Sequence, residues 1–168
     1  NRLVGSEMCI RDSMSTLVIL GSARSDGNTR TFLDLVLANG PATVIDLCDH
    51  ELGHYEYDMP SDRDGFAMMT TQMKSHSNLL LATPVYWYAM SGRMKVFFDR
   101  LTDLLDEGVS FKGKNVYLLS TGTKPSLPEG FEVPFRDTAK YLEMTYRGAI
   151  YACMREAGVV PDEAKRAA

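Results

Sequence analysis

Two loops carry residues whose types and spacing suit them to chemistry. The first is Gly21-Ser22-Ala23-Arg24-Ser25-Asp26-Gly27-Asn28-Thr29, which follows a compact apolar run. Gly21 allows a sharp exit from a strand, and Gly27 permits a positive φ or a close backbone approach. Ser22, Asn28 and Thr29 offer hydroxyl and amide groups beside the start of a helix. Free N–H groups and the macrodipole at such a start favour a phosphate, and Arg24 adds a charge-assisted bond. The turn is not a Walker A loop, because its glycine spacing is wrong and no Lys precedes Thr29. Nor does it hold the G-x-G-x-x-G of a dinucleotide fingerprint. Taken alone, it is open between a phosphate site and an ordinary capped βα turn. The second loop is Pro84-Val85-Tyr86-Trp87-Tyr88. Its aromatics offer a flat apolar surface for a planar ring, although such residues also serve as core or dimer contacts.

Other candidates are weaker. His50-Glu51-Leu52-Gly53-His54 matches H-E-x-x-H, the zinc-protease helix. That motif needs both imidazoles on one helical face and a third ligand elsewhere. Here Thr43 to Leu47 read as a strand and Pro60 follows soon after, so a surface loop without metal is expected. Lys95 and Asp99 stand four apart and can pair across one helical turn, for a few tenths of a kcal/mol. Asp99-Arg100 reads as a helix-surface or interface charge pair rather than a catalytic one. Met68, Met69, Met73, Met90 and Met94 read as packing residues.

The elements that must position these loops alternate regularly. Leu17–Leu20 is a short apolar run of the kind that forms a strand buried on both faces. A helix then carries Phe32, Leu33, Leu35, Val36 and Leu37 inward and ends at Gly40-Pro41. Thr43–Leu47 is a second strand, and Gly65–His76 a helix with Phe66, Met69 and Met73 at helical spacing. Leu79–Ala82 is a third strand, which Pro84 stops because it lacks an N–H. Ser91 is a candidate N-cap. Beyond it Met94, Phe97, Phe98, Leu101, Leu104 and Leu105 form one apolar stripe, closed by Gly108 at C′. Val116–Ser120 is a fourth strand. Residues 122–134 have turn chemistry throughout. A helix near 135–144, a fifth strand near 146–152 and a last helix from Pro161 complete the pattern. Alternation of this kind implies α/β architecture with a parallel sheet and right-handed crossovers. No domain boundary or internal repeat is visible.

Composition sets the outer bounds. The 168 residues make one domain, and a net charge of −4 with no basic patch argues against nucleic acid. The longest apolar run falls far short of a membrane span. Three scattered cysteines do not make a disulfide framework, so a reducing, cytoplasmic setting is expected. Residues 1–13, NRLVGSEMCIRDS, show no helical or strand periodicity and lack the long apolar region of a signal peptide. The expectation is an extraneous leader, similar to translated adapter sequence, with the domain running from Met14 to Ala168. A disordered native arm is the alternative.

A phosphate turn and an aromatic loop two strands apart suggest a planar heterocycle joined to one phosphate, which is the shape of flavin mononucleotide (FMN). GSARSDGNT, ATPVYWYAMSGRMKVFFDRLTDL and STGT resemble, in order, segments of the flavodoxin-like NAD(P)H-dependent FMN reductases. That resemblance implies a three-layer α/β sandwich around a five-stranded parallel sheet of order 2-1-3-4-5. It implies that Ser22, Arg24, Asn28 and Thr29 hold the FMN phosphate. It also implies that Pro84, Val85, Tyr86 and Trp87 hold the ring, and that Thr121 and Gly122 close its other edge. The flavin would carry the chemistry with no side-chain acid or base. Hydride would pass from NADPH or NADH by a ping-pong route to a small acceptor such as a quinone, free flavin, azo dye or metal ion. Family members are usually homodimers. The departures are the Pro/Gly-rich stretch after Thr123 and a short C-terminal helix. The competing class is a flavodoxin-type electron carrier, disfavoured by the mild net charge, and a flavin-based regulatory module ranks third.

Overall fold

The computed structural model describes residues 16–38, 40–60, 62–106, 108–155 and 158–161. The leader expected over 1–13 lies outside them. Six strands form one sheet: β1 (Thr16–Leu20), β2 (Thr43–Asp46), β3 (Asn78–Pro84), β4 (Asn115–Gly122), β5 (Thr145–Arg155) and β6 (Gly158–Pro161). Spatial order is β2-β1-β3-β4-β5-β6. The first five are parallel in the expected order 2-1-3-4-5, and β6 pairs antiparallel with β5. The last helix expected from Pro161 is corrected at its first residue, because Pro161 closes β6 opposite Ala152. A proline is tolerated there as the last residue of an edge strand. Residues 162–168 lie outside the described ones.

The strands are buried on both sides because their alternating residues feed two cores. Leu17, Ile19, Leu79, Leu81, Val116 and Leu118 pack on one face with Phe66, Met69, Met94, Phe97 and Phe135. Val18, Leu20, Leu80, Ala82, Tyr117 and Leu119 pack on the other with Phe32 and Leu33. Each such large apolar side chain contributes about 1.5–3 kcal/mol on burial. Helix α1 (Asn28–Leu37) covers the second face, and α2 (Phe66–Ser75), α3 (Gly92–Arg100) and α5 (Val133–Tyr141) cover the first. This is the three-layer flavodoxin-like sandwich.

Several boundaries differ from the periodicity. Helix α1 buries Phe32 and Leu33 but leaves Leu35 exposed, and it ends earlier, at Ala38 in the left-handed region. The stripe expected from Met94 to Leu105 is interrupted after Arg100, and α4 (Asp103–Asp106) is a separate turn. At the junction the bonds tighten to i→i+3 spacing: Thr102 N–H to Asp99 O at 3.2 Å and Leu105 N–H to Thr102 O at 3.1 Å. Leu101 and Leu104 still reach the core, while Leu105 turns outward. Helix α5 ends before its expected limit because Glu143 adopts a positive φ of 57°. Strand β5 is longer than expected, and its pairing with β4 shifts by one residue between Val116 and Leu118. Gly148 takes up that bulge with φ 116°.

Arg100 is the largest departure from a surface reading. It is fully buried. Its Nε donates to Asp103 Oδ2 at 2.7 Å, one Nη donates to Gly53 O at 3.2 Å and to Asp64 Oδ2, and its guanidinium lies 4.9 Å over the Phe66 ring. Asp64 in turn accepts from the N–H groups of Gly53 at 2.8 Å and Phe66 at 3.0 Å, so it also caps the start of α2. Arg100 therefore pins the segment after β2 onto α3. Lys95 and Asp99 pair on the exposed face as expected.

Candidate functional site

The sheet order reverses direction between β1 and β3, and in open α/β sheets ligands bind beyond the carboxyl ends at such a point. The loops after β1, β3 and β4 meet there. Gly21 N–H donates to Ala82 O at 2.8 Å, and Val85 N–H donates to Thr121 O at 2.7 Å. Ser91 acts as the N-cap of α3, accepting from Met94 N–H at 3.1 Å, while its hydroxyl donates to Gly21 O. Its own N–H reaches Thr83 Oγ1 at 3.1 Å. One serine thus ties the first loop, the end of β3 and the start of α3. A side chain at position 21 would not fit, because its Cβ would lie 2.9 Å from Met94 Cβ.

The first loop is built around buried hydroxyls. Ser22 is buried, and its Oγ accepts weakly from Arg24 N–H at 3.5 Å. Thr29, buried in the first turn of α1, shares a hydrogen bond of 2.8 Å with the buried hydroxyl of Thr121, which is 92 residues away in the chain. The phosphate-type turn and the third loop are therefore one bonded unit. Gly27 at the N-cap supplies no capping side chain, and the first turn of α1 holds no acidic residue. Among the described residues, the N–H groups of Asn28, Thr29 and Arg30 find no acceptor. Asn28 and Arg24 are exposed at the rim, with Arg24 Nε 3.7 Å from where a Cβ on Gly27 would sit.

The second loop is not the flat aromatic surface expected from its sequence. Tyr86 and Ala89 exchange backbone bonds of 2.9 and 3.0 Å, making a two-residue hairpin turn with Trp87 and Tyr88 at its tip. Both tip residues have positive φ, 48° and 65°. Trp87 is 94 % exposed and Tyr88 67 %, so the aromatic groups project from a turn instead of packing into a platform. Pro84 is buried as the final residue of β3, paired with Thr121.

Residues 14–157 match the model of the NADPH-dependent FMN reductase family. The chain belongs to that family. It is similar to a Bacillus subtilis (strain 168) protein named "Putative NAD(P)H-dependent FMN-containing oxidoreductase YwqN", at 24 % identity over 82 % of this chain and 83 % of that one. A solved structure of the Trp repressor binding protein from Bacillus subtilis matches with a TM-score of 0.64 and 24 % identity. It covers 85 % of this chain and 90 % of that one. General stress protein 14 from Treponema denticola, solved in complex with FMN, matches with a TM-score of 0.58 and 21 % identity over 82 % of this chain and 84 % of that one. The chain is accordingly an oxidoreductase with FMN as cofactor and a reduced nicotinamide nucleotide as reductant.

The residues present fit that cofactor. Unpaired N–H groups at the start of α1 suit a phosphate, and Asp26, the one carboxylate of the turn, is exposed to solvent. Gly122 is closely packed on its Cβ side, where an added Cβ would lie 2.7 Å from Tyr151 Oη and 3.3 Å from Val85 Cβ. Thr29, Pro84, Val85, Thr121 and Gly122 are brought together by direct bonds or contacts, and Ser22 is buried in the first loop, bonded to Arg24 and Cys48. Arg24, Asn28, Tyr86 and Trp87 stand at the rim. Residues 50–54 are not helical, so the two imidazoles of the pentad do not share a helix face. His54 instead lends its carbonyl to Arg63 at 2.5 Å.

Some site-building residues had no motif to announce them. Cys48 is half-buried and donates through Sγ to Ser22 O at 3.2 Å. Asp46, at the end of β2, accepts from Cys48 N–H at 2.9 Å through Oδ1, and its buried Oδ2 has no partner among the described residues. Tyr151 anchors the third loop from β5. Its register opposite Ser120 depends on the bulge at Gly148, which strand alternation alone does not reveal.

Proposed function

We propose that Ser22, Arg24, Asn28 and Thr29 hold the FMN phosphate, and that Pro84, Val85, Tyr86, Trp87, Thr121 and Gly122 bracket the ring. The observation that carries this reading is the Thr29–Thr121 bond, which joins a helix start with free N–H groups to the loop on the other side of the switch point. When bound, the isoalloxazine supplies the redox chemistry, accepting hydride from NADPH or NADH and passing electrons to a small acceptor such as a quinone, a free flavin or an azo compound. The chain's own task is placement. The Tyr86 N–H is bonded to Ala89 O, so the Trp87 N–H and backbone N–H groups at 121–122 are the ones suited to hydrogen-bond the ring and favour its reduced, negatively charged form. No side-chain acid or base is required.

Because the Pro84–Trp87 loop backs one side of the site, donor and acceptor use the remaining face in turn, and the kinetics are ping-pong. Hydride transfer needs the donor carbon about 3–3.5 Å from its target, which leaves no room for a second planar substrate. Tyr86, Trp87 and Tyr88, all exposed at the rim, support a homodimer in which a second copy covers them; a light-scattering mass of one chain would refute this. Among the described residues no helix is long and apolar enough to cross a membrane. Free thiols at Cys48 and Cys153 support a cytoplasmic setting.

Stopped-flow mixing of the FMN-loaded protein with each nicotinamide tests the reading. Rapid bleaching and parallel double-reciprocal plots are expected. Reduction no faster than that of free FMN would leave an electron carrier as the better description.

A further inference from the structure

The third loop is held from the side of β5 by Tyr151 and Cys153, which are not among the residues assigned to the cofactor. Tyr151 is buried, and its hydroxyl donates to Lys124 O at 2.8 Å. Two residues on, the buried Cys153 thiol points to Thr123 O at 3.7 Å, a weaker contact of the same kind. On the opposite side, Val85 N–H holds Thr121 O at 2.7 Å. Residues 121–124 are thus gripped between the end of β3 and the end of β5. Gly122 sits in the middle of this grip, with room for no side chain: a Cβ there would meet the same Tyr151 hydroxyl at 2.7 Å.

We infer that Tyr151 is a positioning residue for the flavin ring: its hydroxyl fixes the 121–124 loop at the height where that loop's N–H groups meet the ring edge. The inference rests on the assignment of Thr121 and Gly122 to the ring. Tyr151 does not itself touch the cofactor. It acts through the loop, so its removal should be read by the ring and not by the phosphate.

The test is Tyr151→Phe, which keeps the buried ring and deletes the hydroxyl, with FMN and riboflavin titrated separately. Losing one neutral hydrogen bond corresponds to roughly a 2- to 10-fold change in an equilibrium constant. Both flavins are expected to bind weaker by the same factor, with a shifted visible absorption band and an altered midpoint potential. A Gly122→Ala variant supplies the second arm. Its added methyl collides with the hydroxyl in the wild type, but in Tyr151→Phe the next atom of that ring is Cε2 at 3.4 Å. The two substitutions should therefore be less than additive in flavin affinity. A variant that loses melting temperature while both flavins bind with unchanged affinity and spectrum would show a structural role and overturn the inference. So would weakening of FMN alone, or strict additivity with Gly122→Ala. Wild-type protein that binds neither flavin would instead refute the site assignment beneath it, and this inference with it.

Discussion

Arg100 shows how much one side chain can organise away from the chemistry. Burial disfavours its charge, yet the hydrogen bonds it donates to Asp64 and Asp103 outweigh that, and its pKa is raised. Burial likewise pushes the Asp64 carboxyl up, but the bonds from Arg100, Phe66 N–H and Gly53 N–H prevail and hold it below its ordinary 3.8. Replacing Arg100 by Met leaves the buried Asp103 and the partly buried Asp64 carboxylates without their cation. A loss of about 3–5 kcal/mol is expected on chemical denaturation, the usual cost of breaking a buried pair from one side. The pH dependence has a definite sign. A carboxyl with a depressed folded-state pKa contributes stability above its unfolded value and forfeits it as the pH falls through the folded one. Stability should therefore decline as the pH drops below about 3.8, and Asp64→Asn should flatten that acid limb. An unchanged acid limb in the variant would count against this role. The sequence placed Arg100 on the right helix but on its surface. Periodicity reports which face is apolar, not that an aspartate 36 residues upstream is waiting beneath it.

Among the elements, the turn from Tyr86 to Ala89 stands out for its cost. Two-residue hairpins favour positive φ at both central positions, which Asn-Gly adopts with little strain. Trp87 and Tyr88 adopt it with bulky side chains, at about 1–3 kcal/mol each. Changing the pair to Trp87→Asn with Tyr88→Gly should raise the unfolding free energy by about 1–3 kcal/mol, the relieved strain at both positions being partly offset by the extra freedom glycine gives the unfolded chain. Turnover should fall more than flavin content, since the strained aromatics are what the site gives up. A variant no more stable than wild type would mean that the turn is unstrained. The sequence located this loop through Pro84 and the aromatic triplet but could not give its shape, because none of its residue types signals such a turn. Strands β1 and β3 were legible for the opposite reason: Leu17–Leu20 and Leu79–Ala82 are uniformly apolar, and burial on both faces demands just that. The Tyr151 anchor was hidden behind a bulge that changes the strand's phase at Gly148. Leu35 and Leu105 matched a helical stripe yet lie exposed, one at the side of its helix and one beyond a break.

Across the whole molecule, the site is a closure of distant chain segments. The Thr29–Thr121 bond spans 92 residues, and the contacts of Ser91 with Gly21 and of Val85 with Thr121 join parallel neighbours that no local signal pairs. A ligand seated across these loops binds the folded chain and not the unfolded one, so its binding free energy adds to global stability. At a ligand concentration about 100 times the dissociation constant, the gain is about 2.7 kcal/mol. For a chain of this length each kcal/mol raises the melting temperature by about 2–4 °C, so FMN should shift it up by about 5–10 °C. Riboflavin at the same concentration should shift it less, because it leaves the N–H groups at the start of α1 without an anion. Thr29→Val separates the two effects further. It removes one hydroxyl of the buried pair, leaves Thr121 unsatisfied at a cost of about 1–3 kcal/mol, and should narrow the gap between the FMN and riboflavin shifts. Equal shifts by both ligands in the wild type would place the phosphate somewhere other than the turn after β1. The ring assignment at the ends of β3 and β4 would then stand on its own bonds, and the start of α1 would be an ordinary helix cap.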